Sequence, residues 1–249
     1  MTRFAAIAVL LAAAAPQFTS SVNQVEIYAS VTDETGKPVE GLDAADFLVT
    51  EDGVAQQISV FAEGDFPLSA AVAVDASFSM AGERIAVAKS AARLFLGELR
   101  PADQAMLIAI TGTADVIAPL STGRAAQFEA LNQLSVWGTT SLHDAVIDAI
   151  RQLQPATGRR ALVLLSDGDD RYSEASADAV RARARESDVM IYPVALGRAM
   201  PPLFTDLAEM TGGRAYHQRD ARNLPATLRD IAAELRRQYL IGYTPSRPF

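Results

Sequence analysis

The sequence of 249 residues contains no cysteine and carries far fewer basic than acidic side chains. The absence of cysteine excludes disulfide bonds, thiolate metal sites, cysteine nucleophiles and a lipid anchor attached to a cysteine. Lysine and arginine total 22 against 30 aspartate and glutamate residues, which gives a net charge of -8. Because a phosphate-backbone binder needs a basic face, nucleic-acid binding is not expected, whereas an acidic surface suits the binding of cations.

Sequence motifs for nucleotide binding and for common hydrolytic chemistry are also missing. There is no Gly-x-x-x-x-Gly-Lys loop, and no Gly-x-Gly-x-x-Gly follows the first strand of the α/β region. A phosphotransferase would need a lysine beside the reacting phosphate, but Lys89 falls in the middle of a predicted helix. A serine hydrolase is poorly supported, because Ser77 and Ser79 lack a glycine elbow and only His143 and His217 are available as bases.

The N-terminus has the pattern of a secretory signal peptide. Arg3 precedes an apolar run from Phe4 to Ala15, and polar residues follow from Gln17 to Ser21. The run is shorter than the roughly 20 residues that a membrane span needs, although a buried first helix is the alternative interpretation. We therefore predict a signal peptide over residues 1–20 and an exported protein, periplasmic or secreted, without stable membrane insertion after the signal is removed.

Residues 21–66 have a sequence pattern typical of short strands joined by turns. Apolar residues at every second position from Val25 to Val31 indicate a strand. Further strands are predicted at Phe47–Thr50 and Gln57–Phe61, with a turn at Glu51-Asp52-Gly53 between them. This region is predicted to form a small β module.

From Leu68 the pattern changes to alternating strands and helices, which is typical of a Rossmann-like, doubly wound α/β fold. The run Leu68–Val74 is almost wholly apolar, as expected for a central parallel strand buried on both faces. We predict a mainly parallel six-stranded sheet with helices on both faces over residues 67–244, followed by a short tail at 245–249. The predicted strands are 68–74, 104–110, 115–120, 160–165, 189–194 and 239–243, and the predicted helices are 82–99, 125–134, 141–153, 175–186, 203–210 and 224–236.

Oxygen-bearing side chains follow two of the buried strands. Asp75, Ser77 and Ser79 alternate after the first strand, Asp167 follows the strand at residues 160–165, and Thr140 precedes a helix. Ligands in doubly wound sheets gather at the carboxyl ends of the strands, and carboxylate and hydroxyl oxygens suit Mg²⁺, Mn²⁺ or Ca²⁺ rather than zinc. The alternative is that these residues only cap helices and form turns.

Together, Asp75-Ala76-Ser77-Phe78-Ser79, Gly138-Thr139-Thr140 and Ser166-Asp167-Gly168 resemble the metal-ion-dependent adhesion site of von Willebrand factor type A domains. The resemblance covers about residues 68 to 243, and the preceding β module resembles one found in exported bacterial proteins of this kind. The resemblance implies that Asp75, Ser77, Ser79, Thr140 and Asp167 surround Mg²⁺, directly or through water. It also implies that an acidic residue of a protein partner fills the remaining coordination position.

The function expected from this resemblance is that of a non-enzymatic binding protein, which captures a protein presenting Asp or Glu. Phe78 and Trp137 are candidate partner contacts, although Trp137 is equally compatible with packing inside its loop. Asp169 and Asp170 are interpreted either as part of a solvated loop or as a second ion site. Two other functions stay open: a structural protein of the cell envelope in which the metal only orders loops, and a metal-dependent hydrolase.

Overall fold

The computed structural model describes residues 24–34, 38–64 and 66–246. The predicted signal peptide lies outside these residues, as do residues 247–249 of the predicted tail. Within the described part of the chain, no helix has the length and apolarity needed to cross a membrane.

The described residues form eleven strands and six α-helices. The strands are β1 (Val25–Ala29), β2 (Val49–Glu51), β3 (Val54–Gln56), β4 (Ile58–Gly64), β5 (Leu68–Asp75), β6 (Gln104–Ile110), β7 (Ala114–Ser121), β8 (Arg159–Ser166), β9 (Val189–Ala195), β10 (Tyr216–His217) and β11 (Gln238–Tyr243). The helices are α1 (Glu83–Glu98), α2 (Ala125–Gln133), α3 (Leu142–Leu153), α4 (Ala177–Arg185), α5 (Pro202–Thr211) and α6 (Leu224–Arg236).

The large sheet has six strands in the order β10-β9-β8-β5-β6-β7, and only β7 runs antiparallel to its neighbour. The strand β5 is central, and all eight of its residues are buried, which explains its unbroken apolar sequence. Strands that follow β5 in the chain lie on both sides of it, so β5 and β8 flank the point where the strand order reverses. The prediction of a doubly wound, mainly parallel six-stranded sheet is confirmed.

Two apolar layers cover the two faces of this sheet. On one face, Val72 and Val74 of β5 pack in a cluster with α1 and α6. On the other, Ala71 and Ala73 pack in a cluster with α3, α4 and α5. The alternation along β5 therefore divides its side chains between two cores, and the sheet is shielded from water on both faces.

The small β module does not consist of N-terminal residues alone. The strand β11 is the centre of a three-stranded antiparallel sheet, between β1 and β4, while β2 and β3 form a separate hairpin. The strand predicted at residues 239–243 is thus present, but it pairs outside the large sheet, whose sixth strand is the short β10 instead. The domain boundary at residue 66 stays a prediction, and strand pairing crosses it.

Where the small sheet meets the large one, a buried polar seam is centred on Arg159, which is 2% exposed. Its guanidinium donates to Gln238 Oε1 at 2.8 Å and to the backbone carbonyl oxygens of Leu235 and Phe66. Gln238 in turn donates to Ser30 Oγ at 3.0 Å. One arginine therefore connects the start of β8, the end of α6 and the start of β11.

A second part of the seam surrounds Glu234, which is buried near the end of α6. The Tyr192 hydroxyl donates to Glu234 Oε1 at 3.1 Å, and Arg214 Nε lies 3.9 Å from Glu234 Oε2. Arg214 also donates to Thr32 Oγ1, at 3.2 Å, in the N-terminal region. Burial raises the pKa of Glu234 above its ordinary value, and the nearby Arg214 opposes this rise.

Candidate functional site

The three predicted site segments meet at the carboxyl-end edge of the large sheet. The strands β5 and β8 are parallel neighbours, with Val74 opposite Leu165, so the residues that follow them leave the sheet side by side. Asp75 is fully buried and Ser77 is 2% exposed, whereas Ser79 is exposed. The segment after β5 therefore runs from the interior to the surface within five residues.

Asp75 is held by hydrogen bonds on both carboxylate oxygens. Ser166 Oγ donates to Oδ2 at 2.6 Å, and the Ser77 backbone N–H donates to Oδ1 at 2.9 Å. Burial raises the pKa of the Asp75 carboxyl, the bonds from Ser166 and Ser77 oppose that rise, and the nearby charge of Asp167 adds to it. A bound cation would favour the ionised form that burial disfavours.

Three hydroxyl-bearing residues, Ser77, Ser79 and Thr140, line one surface depression of about 370 Å³. The Oγ atoms of Ser77 and Ser79 lie 3.0 Å apart. Thr140 is 4% exposed, and within the described residues no hydrogen-bond partner of its hydroxyl is present. These hydroxyl oxygens and the two carboxylates of Asp75 and Asp167 form a hard-oxygen set, and among the described residues no group of three His, Cys, Asp or Glu side chains offers a metal an alternative.

Backbone hydrogen bonds connect the loops that carry these side chains. The Trp137 N–H donates to the Ala76 carbonyl oxygen at 2.8 Å, and the Phe78 N–H donates to Gly138 O at 3.3 Å. The Arg171 N–H donates to Thr140 O at 3.1 Å. The loops after β5 and β8 are therefore both tied to the loop before α3.

Asp167 lies on the other side of Ser79, where its side chain is 7% exposed. Arg84 Nη1 is 3.7 Å from Asp167 Oδ2 and also donates to the Ser79 carbonyl oxygen at 3.1 Å. A guanidinium thus sits beside the candidate donor set and reduces its negative charge. This contact could not be predicted from the sequence, because Arg84 belongs to the first turn of α1, outside the three motif segments.

Three aromatic side chains lie at the surface near the candidate site, and two of them, Phe78 and Tyr172, line the hydroxyl depression. Phe78 is 67% exposed, Trp137 is 58% exposed and Tyr172 is 63% exposed. The exposure of Trp137 disagrees with packing of its indole inside the loop, and its role as a partner contact stays a prediction. Tyr172 was missed in the sequence because a single tyrosine in a polar loop carries no periodic signal.

Asp170 has a structural role that differs from both sequence interpretations. Its Oδ1 atom accepts hydrogen bonds from the backbone N–H groups of Leu142 and His143, at 2.8 and 3.2 Å, and from Ser173 Oγ at 2.5 Å. The carboxylate therefore caps the N-terminus of α3 from a loop distant in the chain. Asp169 is exposed and pairs with Arg171 at 3.2 Å.

Residues 71–169 match the family model of the von Willebrand factor type A domain. Over this segment the chain is similar to von Willebrand factor type A domains. The matched segment begins within β5 and ends just after Asp167, so it includes all five predicted donors. Domains of this family typically mediate interactions between proteins, or adhesion.

A curated relative and several solved structures are also similar to this chain. The chain is 28% identical over 191 residues to a UPF0353 protein of Mycobacterium leprae, with 64% of this chain and 55% of that protein covered. The chain thus spans about half the length of this relative. A von Willebrand factor type A protein from Catenulispora acidiphila superposes with a TM-score of 0.60 at 19% identity, over 75% of this chain and 51% of that chain.

Two further structures share the fold at low identity. One is an aerotolerance-related membrane protein from Bacteroides fragilis, with a TM-score of 0.55 at 17% identity, over 68% of this chain and 98% of the other. The other is the von Willebrand factor domain of the type V pili tip protein Mfa5 from Porphyromonas gingivalis, with a TM-score of 0.58 at 12% identity, over 69% and 95%. At these identities the likeness concerns the fold alone.

Proposed function

We propose that this protein is an exported, non-enzymatic binding protein that captures a protein partner through a divalent metal ion. Asp75, Ser77, Ser79, Thr140 and Asp167 would hold Mg²⁺ at the edge of the large sheet, with Mn²⁺ or Ca²⁺ as alternatives. The ion would supply a positively charged coordination position for an Asp or Glu of the partner. The aromatic rim of Phe78, Trp137 and Tyr172 would contact the surrounding surface of the partner.

The spacing of the two serine hydroxyls is the observation that carries this proposal. Neighbouring oxygen ligands of one ion lie about 2.8–3.4 Å apart, both around Mg²⁺ at about 2.0–2.1 Å and around Ca²⁺ with its six to eight ligands. The Ser77 and Ser79 oxygens are 3.0 Å apart, above the buried carboxylate of Asp75. The two hydroxyls, which are hydrogen-bonded to each other, are therefore spaced as two neighbouring ligands of one divalent ion.

The contacts between the loops favour a binding role over a purely structural ion. Direct backbone hydrogen bonds already connect the loops at Ala76, Gly138 and Thr140. An ion is therefore not required to connect them, and its main contribution would be to the binding of a partner.

The positions of the two histidines support a non-enzymatic role over a metal-dependent hydrolase. His143 Nδ1 lies 3.0 Å from the carbonyl oxygen of Ala175, and His217 Nε2 lies 3.1 Å from that of Gly197. One nitrogen of each ring is thus engaged with a backbone oxygen, and among the described residues neither ring is hydrogen-bonded to Ser77 or Ser79, which argues against a general base at the site.

Calorimetric titration of Mg²⁺ and Mn²⁺ into chelator-treated protein tests the proposal. We expect saturable binding at one site, and we expect Asp75→Ala to weaken it at least about 100-fold, because about 3 kcal/mol of charge interaction is lost. Asp169→Ala is the matched control, since it removes an exposed neighbouring carboxylate outside the donor set and should change the affinity less than about threefold.

Partner capture is tested with the same variants. Binding of a partner that requires Mg²⁺, disappears in Asp75→Ala and persists in Asp169→Ala would support the proposal. If Asp75→Ala bound Mg²⁺ as tightly as the native protein, the assigned donor set would be wrong. If the ion stabilised the fold but had no effect on partner capture, the structural role would replace the binding role.

A further inference from the structure

A second depression, of about 630 Å³, lies directly beside the candidate metal position. It shares Ser79 and Asp167 with that position and continues to Arg84, Arg198 and the apolar side chains of Met200, Pro201 and Pro202. We call this depression the arginine groove. The hydroxyl depression and the arginine groove meet at Ser79, so a ligand that reaches the metal position also borders the groove.

The two arginines of the groove differ in their surroundings. Arg84 is already engaged, since it lies near Asp167 and donates to the carbonyl oxygen of Ser79. Arg198 is exposed, and across the described residues its guanidinium has no ion pair or hydrogen bond. The acidic side chains at the groove are also engaged, because Asp169 pairs with Arg171 and Asp167 faces Arg84. Of the two arginines that line the groove, Arg198 is therefore the one whose guanidinium is available to pair with a ligand.

The segment after β9, which carries Arg198, packs closely against the loop after β8, which carries Asp167. A Cβ atom on Gly197 would lie 2.5 Å from the Asp167 carbonyl oxygen, and a Cβ on Gly168 would lie 2.1 Å from Pro201 Cγ. Only glycine fits such close approaches. The Leu196 N–H also donates to Ser166 O at 2.8 Å. The groove is thus preformed, which lowers the entropic cost of binding a ligand there.

We infer that the arginine groove binds a second carboxylate of the same protein partner, so that the recognised segment carries two acidic residues. The first acid would reach the metal position and the second would pair with Arg198, while Met200 and Pro201 contact the chain between or beside them. This inference rests on the proposed function for the first acid. With a net charge of -8, the protein as a whole repels acidic segments, so a local cation next to the metal position would select where such a segment binds.

A library of random peptides displayed on phage tests the inference, with the full chain as bait in Mg²⁺. For the native protein we expect enriched peptides with two acidic positions at a constant spacing. With Arg198→Glu as bait, we expect the first acidic position to persist and the second to be lost. Arg185→Glu is the matched control, because it makes the same charge change at the exposed end of α4, on the opposite edge of the sheet, and should leave both positions enriched.

A double-mutant cycle on the best enriched peptide then measures the interaction between Arg198 and the second acidic residue directly. Arg198→Ala should weaken binding of the two-acid peptide about five- to tenfold, and should have little effect once the second acid is replaced by its amide. Enrichment of a single acid, identical for native and Arg198→Glu baits, would overturn the inference and leave the proposed function standing. Enrichment without any acid, or enrichment that persists in Asp75→Ala, would overturn both.

Discussion

Two regions of this protein, the candidate metal site and the seam between the two sheets, contain buried polar side chains but use them differently. In the seam, Arg159 and Glu234 are buried, and each has a buried partner of the same chain, Gln238 and Tyr192 respectively. At the site, Asp75 is equally buried, but the hydroxyls above it open to solvent. A polar group whose partners are all internal stabilises the fold, whereas one that faces an accessible depression is available to a ligand.

The strongest test of this difference is Arg159→Met. The substitution keeps an apolar stem but leaves the carbonyl oxygens of Leu235 and Phe66 and the Gln238 amide without their donor. Each buried group left unsatisfied costs about 1–3 kcal/mol, so we expect the free energy of unfolding in urea to fall by about 3 kcal/mol or more. Metal affinity per folded molecule should not change.

Arg160→Met serves as the comparison, since Arg160 pairs with Asp188, whose side chain is 69% exposed. An exposed pair of this kind contributes less than about 1 kcal/mol. Equal losses of stability in the two variants would show that the seam is not a special stabilising region.

The response to pH should differ between the regions once Mg²⁺ is added. Since burial raises the pKa of Asp75 above 3.8, its contribution to stability is full below about pH 3.8 and is lost as the pH rises through the raised pKa. We expect Mg²⁺ to reverse this loss, because it binds the ionised form, and to stabilise by about 2.7 kcal/mol at 100 times its Kd. Thermal unfolding at several pH values, with and without Mg²⁺, measures both effects.

Two variants distinguish the contribution of Asp75 at the site from that of Glu234 in the seam in that experiment. Asp75→Asn should remove the response to Mg²⁺. Glu234→Gln should remove the pH-dependent loss caused by Glu234, whose pKa is also raised, while leaving the response to Mg²⁺ intact. A response to Mg²⁺ that persisted in Asp75→Asn would contradict the assignment of the site.

A smaller effect is expected from Arg84→Gln. Removing a cation 3.7 Å from Asp167 should tighten Mg²⁺ binding by about fivefold, which corresponds to about 1 kcal/mol. Calorimetry at low and high salt should show that the gain shrinks as salt increases. Arg171→Gln, which alters an exposed pair with Asp169, should give less than a twofold change, and weaker binding in Arg84→Gln would show that Arg84 supports the site instead.

The smallest expected effect concerns Trp137, the single tryptophan of the sequence. Its indole is exposed, while its backbone N–H donates a hydrogen bond to the carbonyl oxygen of Ala76, the residue after Asp75. We expect Mg²⁺ to change the tryptophan fluorescence modestly and with the same Kd as calorimetry, and Trp137→Ser to change stability by less than about 0.5 kcal/mol. A fluorescence response unchanged by Asp75→Ala would mean that it reports something other than the site.

The buried strands and the positions of Asp75 and Asp167 could be predicted from the sequence, for a direct physical reason. An apolar run that ends abruptly in a carboxylate marks the point where a buried strand reaches solvent, and parallel strands bring such points to one edge. Ser166 could have been found in the same way, because it lies between a buried strand and Asp167.

Other features could not be predicted because they depend on contacts between distant segments. The short, mostly apolar sequence Tyr239–Tyr243 fits either sheet, and only the tertiary packing decides that it lies between β1 and β4. Likewise, Asp170 caps a helix that begins 28 residues earlier in the chain, a role that no local pattern encodes. Which hydrogen bonds such residues form is decided by tertiary structure.

The central position of β11 has a consequence for the order of folding. Val25 pairs with Tyr243, so β1 and β4 have no strand between them until nearly the whole described chain has been made. Contacts between such distant segments form late, because a long loop must first be closed. The α/β core can therefore assemble first, and the small sheet is completed only when β11 pairs with β1 and β4.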